Sequence, residues 1–191
     1  MSAHVSSSRS ARQALLSLFA VLLACVLSAP PAHAASAAEI DHAVDQTLKA
    51  FEQIKGAKAF LSIAKGVLVF PKVYKAGIGI GGEYGEGALR VGGKTVDYYS
   101  TAAASIGFQL GAQAKSIVVI FTDGDALRKF RESKGWEVGV DGSVVLVDLG
   151  AGKDVDTTTI KDPVIGFIFG QKGLMYNLTL EGSKFTKLDK K

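Results

Sequence analysis

The sequence predicts an α+β domain in which N-terminal helices pack on an antiparallel, strongly coiled β-sandwich or partly closed barrel. Three observations carry this expectation. Apolar residues recur at helical spacing in one early stretch, over Ile40, Val44, Leu48, Phe51 and Ile54. From Gly66 onward, short alternating or wholly apolar runs are separated by turn residues, roughly eight to ten strands in all. The 22 glycines all lie from Gly56 on. Their share is well above the usual ~7%, and in a sheet it implies turns, bulges and close backbone approach.

Residues 1–34 read as a signal peptide, leaving 35–191 as one domain. Arg9 and Arg12 form a positive start, "ALLSLFAVLLACVLSA" (Ala14 to Ala29) an apolar centre, and "AHA" (Ala32 to Ala34) a small-x-small cleavage site. The apolar centre is short for a membrane span and is followed by Pro30 and Pro31. "LLAC" (Leu22 to Cys25) resembles a bacterial lipobox, which would lipidate Cys25. Val26 and Leu27 continue the apolar run past it, so cleavage after Ala34 is favoured, with lipidation at Cys25 as the second reading. Either way the domain is expected to be exported, periplasmic or envelope-associated, and membrane-anchored if Cys25 is lipidated. Arg9 and Arg12 are too far apart for a twin-arginine signal.

The helical part runs from Ala35 to Gly66, with a break at Gly56 and a second short helix in "AKAFLSIAK". "VLVF" closes at Pro71. Gly92-Gly93 signals a hairpin of the primed-turn kind between "GALRV" and "KTVDYYSTAAASIGFQLGAQ". "KSIVVIFTD" (Lys115 to Asp123) reads as a buried strand. "GDALRKFRESK" reads as a short helix capped by Asp123 or Asp125, with Leu127 and Phe130 facing inward. A second hairpin is expected to turn at Asp141-Gly142 and a third at "GQKG" (Gly170 to Gly173). "KFTKLDKK" supplies a last strand and a basic tail.

Few chemistries survive inspection. Beyond Ala34 there is no cysteine, hence no disulfide, thiolate nucleophile or Cys-ligated metal. The formal charge of +4 falls to +2 without Arg9 and Arg12, which permits an anionic surface as partner without implying nucleic acid. Gly77, Gly79 and Gly82 spell G-x-G-x-x-G, but "EYGEGALRVGG" follows, where a dinucleotide site needs a helix to meet the pyrophosphate. His42 is the one histidine after the leader, and there is no G-x-S-x-G elbow. Asp123 and Asp125 sit where a helix needs a cap, and Asp154 and Asp156 lie in a polar loop without a third ligand. No enzyme activity, cofactor or metal is expected.

Surface binding is better supported. Lys49, Lys55, Lys58 and Lys65 lie in the helical part, and Lys72 and Lys75 follow it. Lys55, Lys58 and Lys65 share one side if the helix is continuous, with Phe51, Phe60, Leu61 and Ile63 as apolar surface. Such a basic amphipathic face can lie on an anionic membrane. The alternative assigns Ile40, Val44 and Leu48 to core packing, with the lysines as the wet face, and is favoured for those three.

Three segments then stand together: "AKGVLVFPKVYKAGIGIGGEYGEGALRV" (Ala64 to Val91), "SIGFQLGAQAKSIVVIFTD" (Ser105 to Asp123) and "GLMYNLTLEGSKF" (Gly173 to Phe185). As a set they resemble the SYLF-domain family, a lipid-binding module of bacterial envelope proteins and eukaryotic membrane-trafficking proteins. The resemblance implies binding of acidic phospholipids, with membrane contact through the N-terminal helical segment. That agrees with the basic face read above, whose Lys55, Lys58, Lys65, Lys72, Lys75, Phe51 and Phe60 are the expected lipid-binding residues. The partner implied is an anionic phospholipid or membrane surface, not nucleic acid; a protein partner is left open. Two rival functions remain: a carrier of a small apolar ligand inside the sheet layers, and a structural or protein-interaction domain of the envelope.

Overall fold

The computed structural model describes residues 34–148, 161–173, 180 and 182–190. From Ala35 onward they form one compact unit. The leader with Cys25 and the loop holding Asp154 and Asp156 lie outside the described residues.

Helix α1 spans Ala37–Glu52. Ser36 caps it: its hydroxyl accepts from the Glu39 amide, and the Glu39 carboxylate accepts from the Ser36 amide at 2.8 Å. Its buried stripe of Ile40, Val44, Thr47 and Phe51 shares three residues with the one the periodicity identifies, while Leu48 is only half-buried and Thr47 takes an inward place instead. A turn through Gly56 separates it from α2, Ala57–Ile63.

Strand β1, Gly66–Val91, and strand β2, Lys94–Phe121, form one long antiparallel hairpin. Gly92 and Gly93, both at positive φ, make its turn as expected. Pro71 does not end the strand. It falls where the register shifts between Phe70 and Val73, so its missing N–H removes no ladder bond. Helix α3, Gly124–Glu132, follows, with the Asp123 carboxylate accepting from the Ala126 amide at 2.8 Å.

The far edge of β2 holds two neighbours. Strand β6, Lys184–Leu188, pairs with Tyr98 to Ala102. Strand β5, Val164–Gly173, pairs with Gln113 to Phe121. Strand β3, Gly135–Glu137, lies beyond β6. Strand β4, Val145–Asp148, lies parallel to β5 on its other side. The described residues thus give a six-stranded sheet, antiparallel except for β4 with β5. That is fewer strands than the runs suggest, because the fragments from Gly66 to Phe121 fuse into two.

Neither of the two later turn signals closes a hairpin at the place expected, and residues 174–179 after the second lie outside the described residues. The chain does turn at Val138 to Gly142, but β3 goes to β6 and β4 goes to β5. Gly170 to Gly173 lies within β5, where Gly170 at positive φ sits at a bulge opposite Ala114 and Ser116.

The sheet curls into a half-barrel, and β1 folds back over itself. A methyl group on Gly87 would fall 2.0 Å from the Val69 carbonyl oxygen, and one on Gly85 2.8 Å from that of Lys72. Inside the curl, Leu68, Phe70, Leu89, Tyr99, Phe121, Phe130, Trp136 and Phe185 form one cluster. On the outer face, α1 and α2 cover Val69, Val118, Ile120, Ile165, Phe167 and Phe169. Residues 117–121 are apolar throughout because both faces are covered.

Candidate membrane-binding surface

The sequence-predicted residues separate into three environments. Phe51 and Phe60 are wholly buried. Their rings pack on Phe167 with centroids 5.1 Å away in both cases, so they anchor the helices to the sheet. This corrects the expectation that they offer apolar surface: a stripe of Phe at helical spacing serves the core first. Lys75 is also removed from the surface. It follows Val73 on the inner face of β1 and is 4% exposed.

Lys55, Lys58, Lys65 and Lys72 remain exposed. They do not share one continuous helix. Lys55 lies in the turn between α1 and α2, Lys58 in α2, Lys65 just before β1, and Lys72 in the β1 bulge. Lys58 and Lys65 have no ion-pair partner among the described residues, and Lys72 lies 5.8 Å from the Tyr74 ring centroid. Lys65 lines a groove of about 300 Å³ with Leu48, Glu52, Leu61, Val67 and Arg90. The other basic groups mostly serve structure. Arg90 holds Asp45 at 2.8 Å, Lys187 and Arg131 both hold Asp97, and Lys190 holds Glu86.

Asp41 shows why α1 is fixed over the sheet edge. It accepts from the Thr95 hydroxyl at 2.6 Å and the Tyr98 hydroxyl at 2.9 Å. Burial and the hydrogen bond to Asp41 push the Tyr98 phenol up. His42 is exposed and paired with Gln46, as expected of a surface group. The described residues contain no grouping of three or more His, Cys, Asp or Glu able to hold a metal, and no helix long and apolar enough to cross a membrane. The G-x-G-x-x-G stretch runs through β1 with no helix after it, so it lacks the geometry of a phosphate cradle.

Sequence reasoning missed a polar group inside the curl. Lys75, Glu83, Thr101, Gln113 and Lys115 are all buried, and only Lys115 with Glu83 forms an ion pair there. The signal was present as alternation: each of these residues is two positions from another inward-facing residue. It also missed Tyr74, Ile80 and Tyr84, large side chains left exposed on β1.

Fold and surface together define an α+β domain whose curled sheet is half covered by helices and bears unpaired cations outside. Residues 102–191 match the family described as Ysc84, Las17-binding protein actin regulator. The match supports placing the chain in the SYLF-domain family, a family of lipid-binding domains. No curated protein matches the chain.

Proposed function

We propose that this domain is an exported envelope module that binds membrane surfaces rich in acidic phospholipids and performs no catalysis. The observation that carries the reading is the set of exposed lysines at Lys58, Lys65 and Lys72, which no carboxylate neutralises among the described residues. Near an anionic bilayer each contributes about 1 kcal/mol, and the attraction is screened by salt. The folded unit begins at Ala35, directly after the small-x-small motif, which supports a cleaved leader.

The inside of the curl favours the surface over an internal carrier site. Phe130 packs against Tyr99, Phe121, Trp136 and Phe185 with centroids 4.9 to 6.3 Å apart, so aromatic rings occupy that space. The matched family's description names a protein partner, which favours protein interaction as the second reading.

Vesicle flotation tests the proposal. The domain should float with vesicles of phosphatidylcholine plus phosphatidylglycerol and much less with phosphatidylcholine alone. Charge reversal at Lys58, Lys65 and Lys72 should weaken flotation and flatten its salt dependence. Equal recovery with both vesicle types, or none with either, would sink it.

A further inference from the structure

The helices cover only part of the outer sheet face. They stop at Val69, Val118 and Phe169. Beyond them the same face carries exposed side chains: Tyr74 of β1 pairs with Ala114 of β2, and Ala114 pairs with Lys172 of β5. Directly paired residues share a face, so Tyr74 and Lys172 stand on one side with a small alanine between. Lys72 Nζ lies 5.8 Å from the Tyr74 ring centroid. Tyr74 is 58% exposed and Tyr84 51%. Between these two rings lies a groove of about 240 Å³ floored by Ile40, Ala43 and Pro71. Ile80, at the corner of β1, is 72% exposed.

The carboxylates beside this groove are already engaged. Glu39 closes the α1 capping box, and Glu86 takes the Tyr84 hydroxyl and the Lys190 ammonium. Among the described residues the charge on this face that no carboxylate takes up is therefore positive, from Lys72 and Lys172. Two tyrosines, an exposed isoleucine and flanking lysines are the combination that suits a bilayer interface. Tyrosine places an apolar ring below and a hydroxyl at headgroup level, while lysine meets phosphate.

We propose that this exposed middle stretch of β1, from Tyr74 to Tyr84, is the element that enters the membrane. Ile80 leads, Tyr74 and Tyr84 sit at the boundary between headgroups and acyl chains, and Lys72 and Lys172 contact anionic headgroups. The inference rests on the membrane reading above and replaces Phe51 and Phe60, which the core retains, with a different apolar contact. The occupant is an anionic phospholipid bilayer; a second copy of this chain is an outcome the test separates.

The unit Ala35–Lys191 contains both hydrophobic clusters and no cysteine, so one engineered thiol reports one place. Ile80→Cys carrying an environment-sensitive dye should shift to the blue with vesicles containing phosphatidylglycerol. Val140→Cys, on an equally exposed turn beyond β3, should not. The pair Tyr74→Ser and Ile80→Asp should lower vesicle affinity about tenfold or more while leaving the circular dichroism of the free protein unchanged. Flotation of the unaltered unit with no shift at Ile80, or undiminished binding by the double variant, overturns this inference and leaves the membrane reading standing. Loss of flotation by the unaltered unit itself overturns both. Self-association abolished by Ile80→Asp in the absence of vesicles overturns it in favour of a second copy.

Discussion

Lys115 Nζ lies 2.9 Å from Glu83 Oε2 inside the curl, with 1% and 4% of the two side chains exposed. The pair joins the later half of β2 to the later half of β1, so it braces the folded-over hairpin from within. Lys75 is buried on the same inner face and has no hydrogen-bond or ion-pair partner among the described residues. Removing one partner leaves an uncompensated charge in a poorly hydrated site, which costs about 3 kcal/mol or more. Glu83→Gln should therefore lower stability by that order in urea denaturation. Glu83→Gln combined with Lys115→Met should be less harmful than Glu83→Gln alone, since no stranded Lys115 remains. A single-variant loss below about 0.5 kcal/mol would show that the pair braces nothing.

The glycines of β1 make a contrast in one short segment. A methyl group at Gly87 meets the Val69 carbonyl at 2.0 Å, and that contact is backbone, which cannot swing aside. At Gly82 nothing lies within 4 Å. Gly87→Ala should separate the two halves of β1 and cost about 1–3 kcal/mol or more. Gly82→Ala should change stability by less than about 0.5 kcal/mol. Matching thermal midpoints for the two variants would contradict the close approach.

Phe51 and Phe60 decide between anchor and insertion. Each packs on Phe167 under full burial. Phe51→Ala or Phe60→Ala should cost about 3–5 kcal/mol of stability. The fraction still folded should bind vesicles as the unaltered unit does. An affinity loss at unchanged stability would return these rings to the membrane contact.

Local signals were sufficient where one element settles its own fate. Ser36, Asp123 and Gly92-Gly93 stand at termini or turns whose geometry they fix themselves, and the stripe from Ile40 to Phe51 faces the one surface available. Pairing partners were not legible. Asp141-Gly142 carries a genuine turn signal, yet β3 and β4 find different neighbours because β2 is long enough to hold β6 and β5 side by side. The candidate site followed the same division. Exposure of Lys58, Lys65 and Lys72 could be read from composition. Alternation through Val73 puts Lys75 on one face of β1, but that this face is buried depends on β1 folding over itself, which alternation does not encode. Tyr74 and Ile80 read as ordinary strand residues until the extent of the helix layer is known.

Tyr99 offers a test by pH. Its hydroxyl is buried beside the Phe130 ring with no hydrogen-bond partner among the described residues, and burial, then the nearby Asp97 carboxylate, push its pKa up from 10.0 to about 12. The folded state holds this proton more tightly than the unfolded chain does. The associated stability is therefore fully present below pH 10 and lost as pH rises towards about 12. Tyr84 and Tyr98 are shifted the same way, so they keep part of the alkaline slope in any Tyr99 variant. Tyr99→Phe removes one ionisation and one unpaired buried hydroxyl. At neutral pH it should alter stability by no more than about 1 kcal/mol, because no hydrogen bond is lost. Between pH 10 and about 12 it should lose less stability than the unaltered protein, as read from urea midpoints at successive pH values. Parallel curves for the two proteins across that window would mean that Tyr99 ionises as readily in the fold as in the unfolded chain.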